Sequence, residues 1–350
     1  MFNLNLMNKL NIRTFTKDEL ESFFINIKEK KFRASQVFNW VWKNNVDDFD
    51  KMNNIPVSLR SKLDNLFYFS KTIISSKQIS TDQTIKLGFK LSDGFICEGV
   101  LIPSKKRITA CISSQVGCSL SCAFCATGKL KRLRNISAEE IYDQVYHIKK
   151  ISEKKLKKPL TNIVYMGMGE PLLNYKNVIR SIQFITSKEG LAISPKRITV
   201  STSGIVKMIH KLADDSVKFN LALSLHAANN EKRSQIMPIN SSNNLESLKS
   251  SLQYFNKKTN RIITLEYIIF KDFNDSIDDA KELIVFAKDL KCKINIIEYN
   301  NVEGLDYNKT SVEKTNQFKL YLEKKGFIVN VRKSRGEDID AACGQLANKA

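Results

Sequence analysis

The chain has 350 residues, long enough for one large α/β domain and a small accessory one with ample core. Its formal charge of +20, from 56 Lys and Arg against 36 Asp and Glu, implies a polyanion partner, the plain alternative being a lysine-rich composition. No stretch reaches the roughly eighteen apolar residues of a membrane span, and Met1-Phe-Asn-Leu-Asn-Leu-Met has neither the charged start nor the apolar block of a signal peptide, so membrane and secreted classes are excluded and a cytoplasmic protein is expected.

Residues 15–66 read as a helical module, with apolar residues at three and four spacing over 18–27 and 34–43. Trp40 and Trp42, two apart, cannot share one helix face, which leaves room for one of them to be exposed, although core packing is the plain reading of either. Residues 70–84 are mostly polar without a clear period, which suits a linker. Two strand-like runs, 84–91 and 95–102, flank Ser92-Asp93-Gly94, where Asp-Gly supports a tight hairpin turn. From Arg107 onward short apolar runs at 108–113, 161–166, 197–201, 219–225, 263–270 and 293–299 alternate with amphipathic segments at 137–151, 175–187, 204–213, 244–257, 276–290 and 311–325. Six strand-helix units in succession argue for a parallel sheet, open or closed into a barrel, with a seventh strand at 328–332. Ser137-Ala-Glu-Glu140 is a capping box for the first helix of this series.

The polar motifs fall where these strands end, the face on which βα loops build active sites. The first strand is followed by Cys118-Ser-Leu-Ser-Cys122-Ala-Phe-Cys125, with no further cysteine close downstream. Iron-sulfur clusters usually take four cysteine ligands, so a cluster on these three keeps one iron open for a small molecule. Zinc is a competing reading, but it wants four ligands in paired spacings, which Cys111 and His147 do not complete. Disulfides suit small secreted domains better than this chain. The other strand ends carry Gly167-Met-Gly169-Glu170-Pro171, Ser201-Thr-Ser203-Gly204, Ser224-Leu-His226 and Asn300-Asn301. A strand-ending turn is the plain reading of the first of these, and a satisfied core histidine that of His226.

The cysteine spacing resembles the signature of the radical S-adenosylmethionine (SAM) enzymes. Together with Ser113-Ser-Gln-Val-Gly-Cys118, Met166-Gly-Met-Gly-Glu-Pro171, Met237-Pro-Ile-Asn240 and Gly336-Glu-Asp-Ile-Asp-Ala-Ala-Cys343-Gly-Gln-Leu346, it is similar to the bacterial dual-specificity 23S rRNA and tRNA adenine-C2 methyltransferases. The resemblance runs over residues 15–348 and is strongest from Glu98 on. It implies an incomplete (β/α)6 radical-SAM barrel over residues 107–335, an N-terminal helical, RNA-binding domain with linker over 1–83, a hairpin extension over 84–106, and a C-terminal segment over 336–350. A [4Fe-4S] cluster on Cys118, Cys122 and Cys125, and SAM contacts from Gly169, Glu170, Ser201, Ser224, Leu225, His226 and Asn300, are carried over with it.

The resemblance further implies two SAM molecules per turnover: one methylates Cys343 on sulfur, the other yields the radical that activates that methyl group for addition to carbon 2 of an adenine. Cys111 then attacks the Cys343 sulfur, leaving a disulfide to be reduced, and Glu98 is the proton acceptor. Read from sequence alone, Cys111 and Cys343 are small buried hydrophobes and Glu98 a solvent-facing strand carboxylate. Cys97 and Cys292 match no role and read as structural. The implied partners are 23S rRNA, at the peptidyl transferase centre, and tRNA, together with an electron donor such as flavodoxin, for a monomeric enzyme. Lys129, Lys131, Arg132 and Arg134 are candidates for phosphate contacts, and the segment carrying Cys343 is expected to move between steps. Two alternatives stay open: the related adenine-C8 methyltransferase, and a noncatalytic, zinc-bound RNA-binding protein.

Overall fold

The computed structural model describes residues 9–348; the N-terminal stretch read above for a signal peptide lies outside the described residues. A ten-stranded sheet forms the framework. In chain order its strands are β1 (Ile73–Ile79), β2 (Ile85–Lys90), β3 (Ile96–Pro103), β4 (Ile108–Cys111), β5 (Asn162–Tyr165), β6 (Ile198–Thr202), β7 (Asn220–Ser224), β8 (Ile263–Ile269), β9 (Cys292–Glu298) and β10 (Val329–Arg332). They lie side by side in sequence order, β4 to β10 parallel and β1 to β4 antiparallel. No pairing joins β10 back to β4 among the described residues, so the barrel expected from the repeated units is an open one. β8 is buried along its whole length and pairs with β9 from Ile263↔Cys292 to Ile269↔Glu298.

The crossover helices are α4 (Ala138–Ile151), α5 (Tyr175–Thr186), α6 (Val206–Asp214), α8 (Leu245–Thr259), α9 (Ile277–Ala287) and α10 (Val312–Lys324), and a short α7 (Asn230–Ile236) precedes α8. Ser137 and Glu140 form the expected capping box of α4, and Ser276 with Asp279 forms another on α9. Residues 70–84 are a correction: the stretch read as a linker contains β1, an edge strand exposed on both faces. A strand that buries neither face has no reason to alternate, so its sequence carries no period.

The N-terminal helices are α1 (Lys17–Asn26), α2 (Lys31–Trp42) and α3 (Val57–Leu66), of which α2 packs on α4 and α5. Trp42 is the fully buried member of the tryptophan pair. It stacks on Phe184 at 3.7 Å and meets Tyr142 edge-on at 5.0 Å, while the partly exposed Trp40 donates its indole N–H to Asn54. Beside it the buried Arg13 guanidinium lies 5.0 Å from the Trp42 ring and 2.7 Å from Asp143, closing the joint with an ion pair. Removing one partner of such a pair would strand a buried charge, so the module is fixed in orientation as well as in contact. Trp42→Ala is expected to lower stability by about 3–5 kcal/mol, read as a lower urea midpoint; an unchanged midpoint would mean that this stack does not join the two parts.

Candidate active site

The cysteine loop leaves β4 and is shaped by its own backbone. Gly117 has φ +76, and a Cβ there would lie 2.2 Å from the Lys131 carbonyl oxygen. The amides of Cys125 and Gly128 turn back to the carbonyls of Cys122 and Cys125, and Phe124 packs with Ile236, Met237, Ile268 and Phe270 in a small core of its own. The three cysteines thereby face a common cavity of about 230 Å³ as half-buried free thiols. Burial holds their pKa values above the ordinary thiol value, so a cationic metal centre would be needed to keep them ionised. The loop offers three thiols to one cavity, one short of the four ligands that a structural zinc site or a closed cluster takes, and a donor set of this kind fits an iron-sulfur cluster with one iron left open.

The same cavity is lined by Gly169, Glu170, Ser201, Ser224, His226 and Asn300. Glu170 is buried, and its carboxylate accepts from the Ser203 N–H and hydroxyl, each at 2.8 Å, and from the Leu172 N–H at 3.0 Å. These bonds fix the carboxylate at the cavity wall, where an ionised carboxylate suits a cationic ligand such as an α-ammonium group. Burial raises the pKa of Glu170, and an ammonium partner would act against that rise. His226 has φ +59, accepts at Nδ1 from the Ile268 N–H at 3.0 Å and stands edge-on to Phe124 at 4.8 Å. Burial and the nearby Arg233 push its pKa down to about 3, so the ring is neutral and its proton sits on Nε2. Asn300 donates to the Cys343 carbonyl at 3.2 Å while its buried Oδ1 has no partner, an acceptor available to a ligand. Together these side chains fit SAM.

Cys111 and Cys343 line this cavity as free thiols, the first buried at the end of β4 and the second exposed on the C-terminal segment. That segment folds against the cysteine loop: the Ala126 N–H donates to the Gly344 carbonyl at 2.7 Å, and the Thr127 hydroxyl to the Leu346 carbonyl at 2.6 Å. Two expected site residues lie elsewhere. Leu225 is fully buried behind the cavity wall, its N–H donating to the Glu266 carbonyl. Glu98, expected from sequence alone to face solvent, has no exposed surface: Oε1 lies 3.5 Å from Lys86 Nζ, and Oε2 accepts from the N–H groups of Ala347 and Asn348 at 2.9 and 3.1 Å. In this conformation it clasps the tail.

Of the basic run after the cysteines, Lys129 donates to the carbonyls of Glu303 and Gly304, and Arg134 pairs with Asp93 and Glu140. Of this run, only Lys131 and Arg132 have exposed side chains with neither an ion pair nor a hydrogen bond among the described residues. Sequence reasoning missed Arg332, Glu266 and Met166, which share the cavity wall. The available signal was a charged residue at the end of a barrel strand, Arg332 on β10.

Two family profiles match the chain: the ribosomal RNA large subunit methyltransferase N-terminal domain over residues 10–69, and the radical SAM superfamily over residues 112–284. Among curated relatives, a protein of Cytophaga hutchinsonii described as a probable dual-specificity RNA methyltransferase RlmN is 58% identical over 97% of this chain and 93% of its own length. One of the same description from a Thermoanaerobacter species is 41% identical over 97% of this chain and 98% of its own. The crystal structure of a radical SAM methyltransferase from Sphaerobacter thermophilus superposes with a TM-score of 0.90 at 36% identity, covering 96% of this chain and 99% of the other.

Gly169 has φ +89, and a Cβ there would meet the Gln115 side chain at 2.3 Å. Gly169→Ala is therefore expected to weaken SAM binding at least tenfold in equilibrium dialysis with helix content preserved; unchanged binding would dissociate this turn from the ligand. Glu98→Gln removes charge-assisted bonds of about 1.5–3 kcal/mol, and should speed hydrogen exchange at the Ala347 and Asn348 amides about tenfold or more. Unaltered exchange would rule out the clasp.

Proposed function

The chain belongs to the RlmN family of dual-specificity radical SAM RNA methyltransferases, and on that premise we propose that it methylates carbon 2 of adenine in 23S rRNA and in tRNA, at position 37, through an S-methylated Cys343. The observation that carries the reading is the convergence of Cys111, Cys343 and the three loop cysteines on one cavity. When bound, the [4Fe-4S] cluster and SAM supply the methyl group and one-electron chemistry. Cys118, Cys122 and Cys125 would hold three irons, leaving the fourth for SAM, with Gly169, Glu170, Ser201, Ser224, His226 and Asn300 lining the SAM site and Leu225 behind it.

The division of labour among the chain's own residues follows from the substrate. Carbon 2 of adenine lies between two ring nitrogens and is electron-poor, so it does not attack a methyl donor; the methyl group is carried to it on the Cys343 sulfur. The base reaches the pocket unstacked from its RNA. Once the carbon carried by Cys343 is bonded to the ring and one electron and the C2 proton have left, the Cys111 thiolate attacks Cys343 Sγ. The S–S bond forms as the S–C bond breaks, the electron pair passes to the methylene carbon, and a proton completes the methyl group. A dithiol reductant then restores both thiols. Glu98 is the proton acceptor in this scheme after the tail has moved, because both amides that occupy Oε2 belong to the tail. The same movement lets Cys343 reach its two working positions.

Lys131 and Arg132 would contact RNA phosphates, together with the N-terminal module. The substrates place the enzyme in the cytoplasm, where it would work as a monomer reduced by a donor such as flavodoxin. The test is anaerobic: the cluster-loaded protein, given SAM, a reductant and unmodified RNA, is expected to yield 5'-deoxyadenosine and 2-methyladenosine in nuclease digests. Cys343→Ala should abolish the RNA product, whereas Cys111→Ala should trap a covalent protein–RNA adduct. A colourless protein without SAM cleavage, or a methyl group on carbon 8, would overturn the assignment.

A further inference from the structure

Cys111 is poorly placed to be a nucleophile. It is buried at the end of β4, and burial, with a contribution from Cys343, pushes its thiol up to about 12, against the opposing pull of Arg332 and the Met166 backbone N–H. A thiol of that kind is ionised in roughly one molecule in 10⁴ to 10⁵ near neutral pH. The charged group set against it is Arg332, and its titratable neighbour is Cys343.

Arg332 ends β10, yet its side chain lines the same cavity wall as Cys111, Cys343 and Met166, where Nη1 donates to Glu266 Oε2 at 3.2 Å and lies 3.8 Å from Met166 Sδ. Glu266 is itself buried on β8 and accepts at Oε1 from the Asn295 amide at 3.0 Å, so the guanidinium is fixed from behind. Burial works against the charge, but Cys343, Glu266 and Cys111 outweigh it and hold the Arg332 pKa above its usual value. Met166 links the two groups, its N–H toward the Cys111 sulfur and its Sδ toward Arg332. The scheme above leaves this cation without a task.

We propose that Arg332 is a positioning residue that favours Cys111 as the thiolate for its attack on Cys343, with Glu266 orienting the guanidinium and partly offsetting its charge; this rests on the functional reading above. A fixed cation close to a buried thiol stabilises the ionised form without entering the reaction.

The proposal is tested without RNA and without turnover. The full-length, cluster-loaded protein is treated anaerobically with iodoacetamide between pH 7 and 9.5, and alkylation of Cys111 is followed by peptide mass spectrometry, with the half-buried Cys292 as internal control. Arg332→Gln is expected to slow Cys111 alkylation about tenfold or more at each pH, the effect of losing an opposite charge at short range, and Arg332→Lys to restore most of the rate. Glu266→Gln should act in the opposite direction and accelerate it several-fold, with Cys292 unaffected throughout. Equal Cys111 rates in the wild type and Arg332→Gln, or rates moving the same way in both charge variants, would overturn the proposal. If Arg332→Gln fails to fold, an unchanged rate in Glu266→Gln overturns it alone. Arg332-dependent alkylation in a protein that makes no methylated RNA would retain the electrostatic coupling and remove only the functional reading.

Discussion

Glu98 is a carboxylate with no exposed surface, and a buried charge persists only where partners replace water. Its partners come from different parts of the chain: Lys86 on β2 beside it, and the amides of Ala347 and Asn348 at the end of the tail. Its own backbone carbonyl accepts from the Ser113 hydroxyl, which in turn accepts from the Met168 N–H in the turn that supplies Glu170. The hairpin extension, the tail and the turn that carries Glu170 are therefore mechanically connected through one residue. That carboxylate is one of the holds on the tail that carries Cys343, beside the bonds of Gly344 and Leu346 to the cysteine loop.

The parallel part of the fold was legible because each β/α unit repeats the same physical demand. Strands buried on both faces read as short apolar runs, and helices covering them show one apolar stripe, so β4 to β10 and their crossovers could be placed from periodicity alone. β1 could not, because an exposed edge strand imposes no alternation. The short α7 was also missed; its seven residues are held by a cap from Asn229 and by the buried Arg233, which bonds the carbonyls of Ser203 and Leu225, contacts without a local signature. The docking of the N-terminal module was half legible: the spacing of Trp40 and Trp42 put them on different helix faces, but only the positions of Phe184 and Tyr142 decide which tryptophan is buried.

The site divides in the same way. The cysteine triad and the polar strand ends announced themselves because their spacing has a chemical reason, and the structure gathers all but Leu225 and Glu98 around one cavity. Arg332, Glu266 and Met166 carried no such signal, since each belongs to a different strand or strand end and acquires meaning only when adjacent strands align. Charge was the least legible property. A basic run looks uniform in sequence, yet Lys129 holds the loop after β9 and Arg134 closes the hairpin turn against α4, so the run is as much internal bracing as surface.

The distribution of sulfur gives the molecule a characteristic failure mode. Cys97 is sealed within β3 and Cys292 lies at the start of β9, and burial suppresses ionisation at both, leaving them poor targets for oxidants. Burial holds back Cys111 and the three loop cysteines in the same way, so the exposed Cys343, on a tail held by hydrogen bonds beside the cavity that all five line, is the thiol an oxidant meets first. Oxidative stress would thus strike the working centre while the framework stayed folded, producing intact but silent protein. Such damage would pass unnoticed by machinery that detects unfolding, and recovery would call for thiol reduction and cluster repair rather than replacement of the chain.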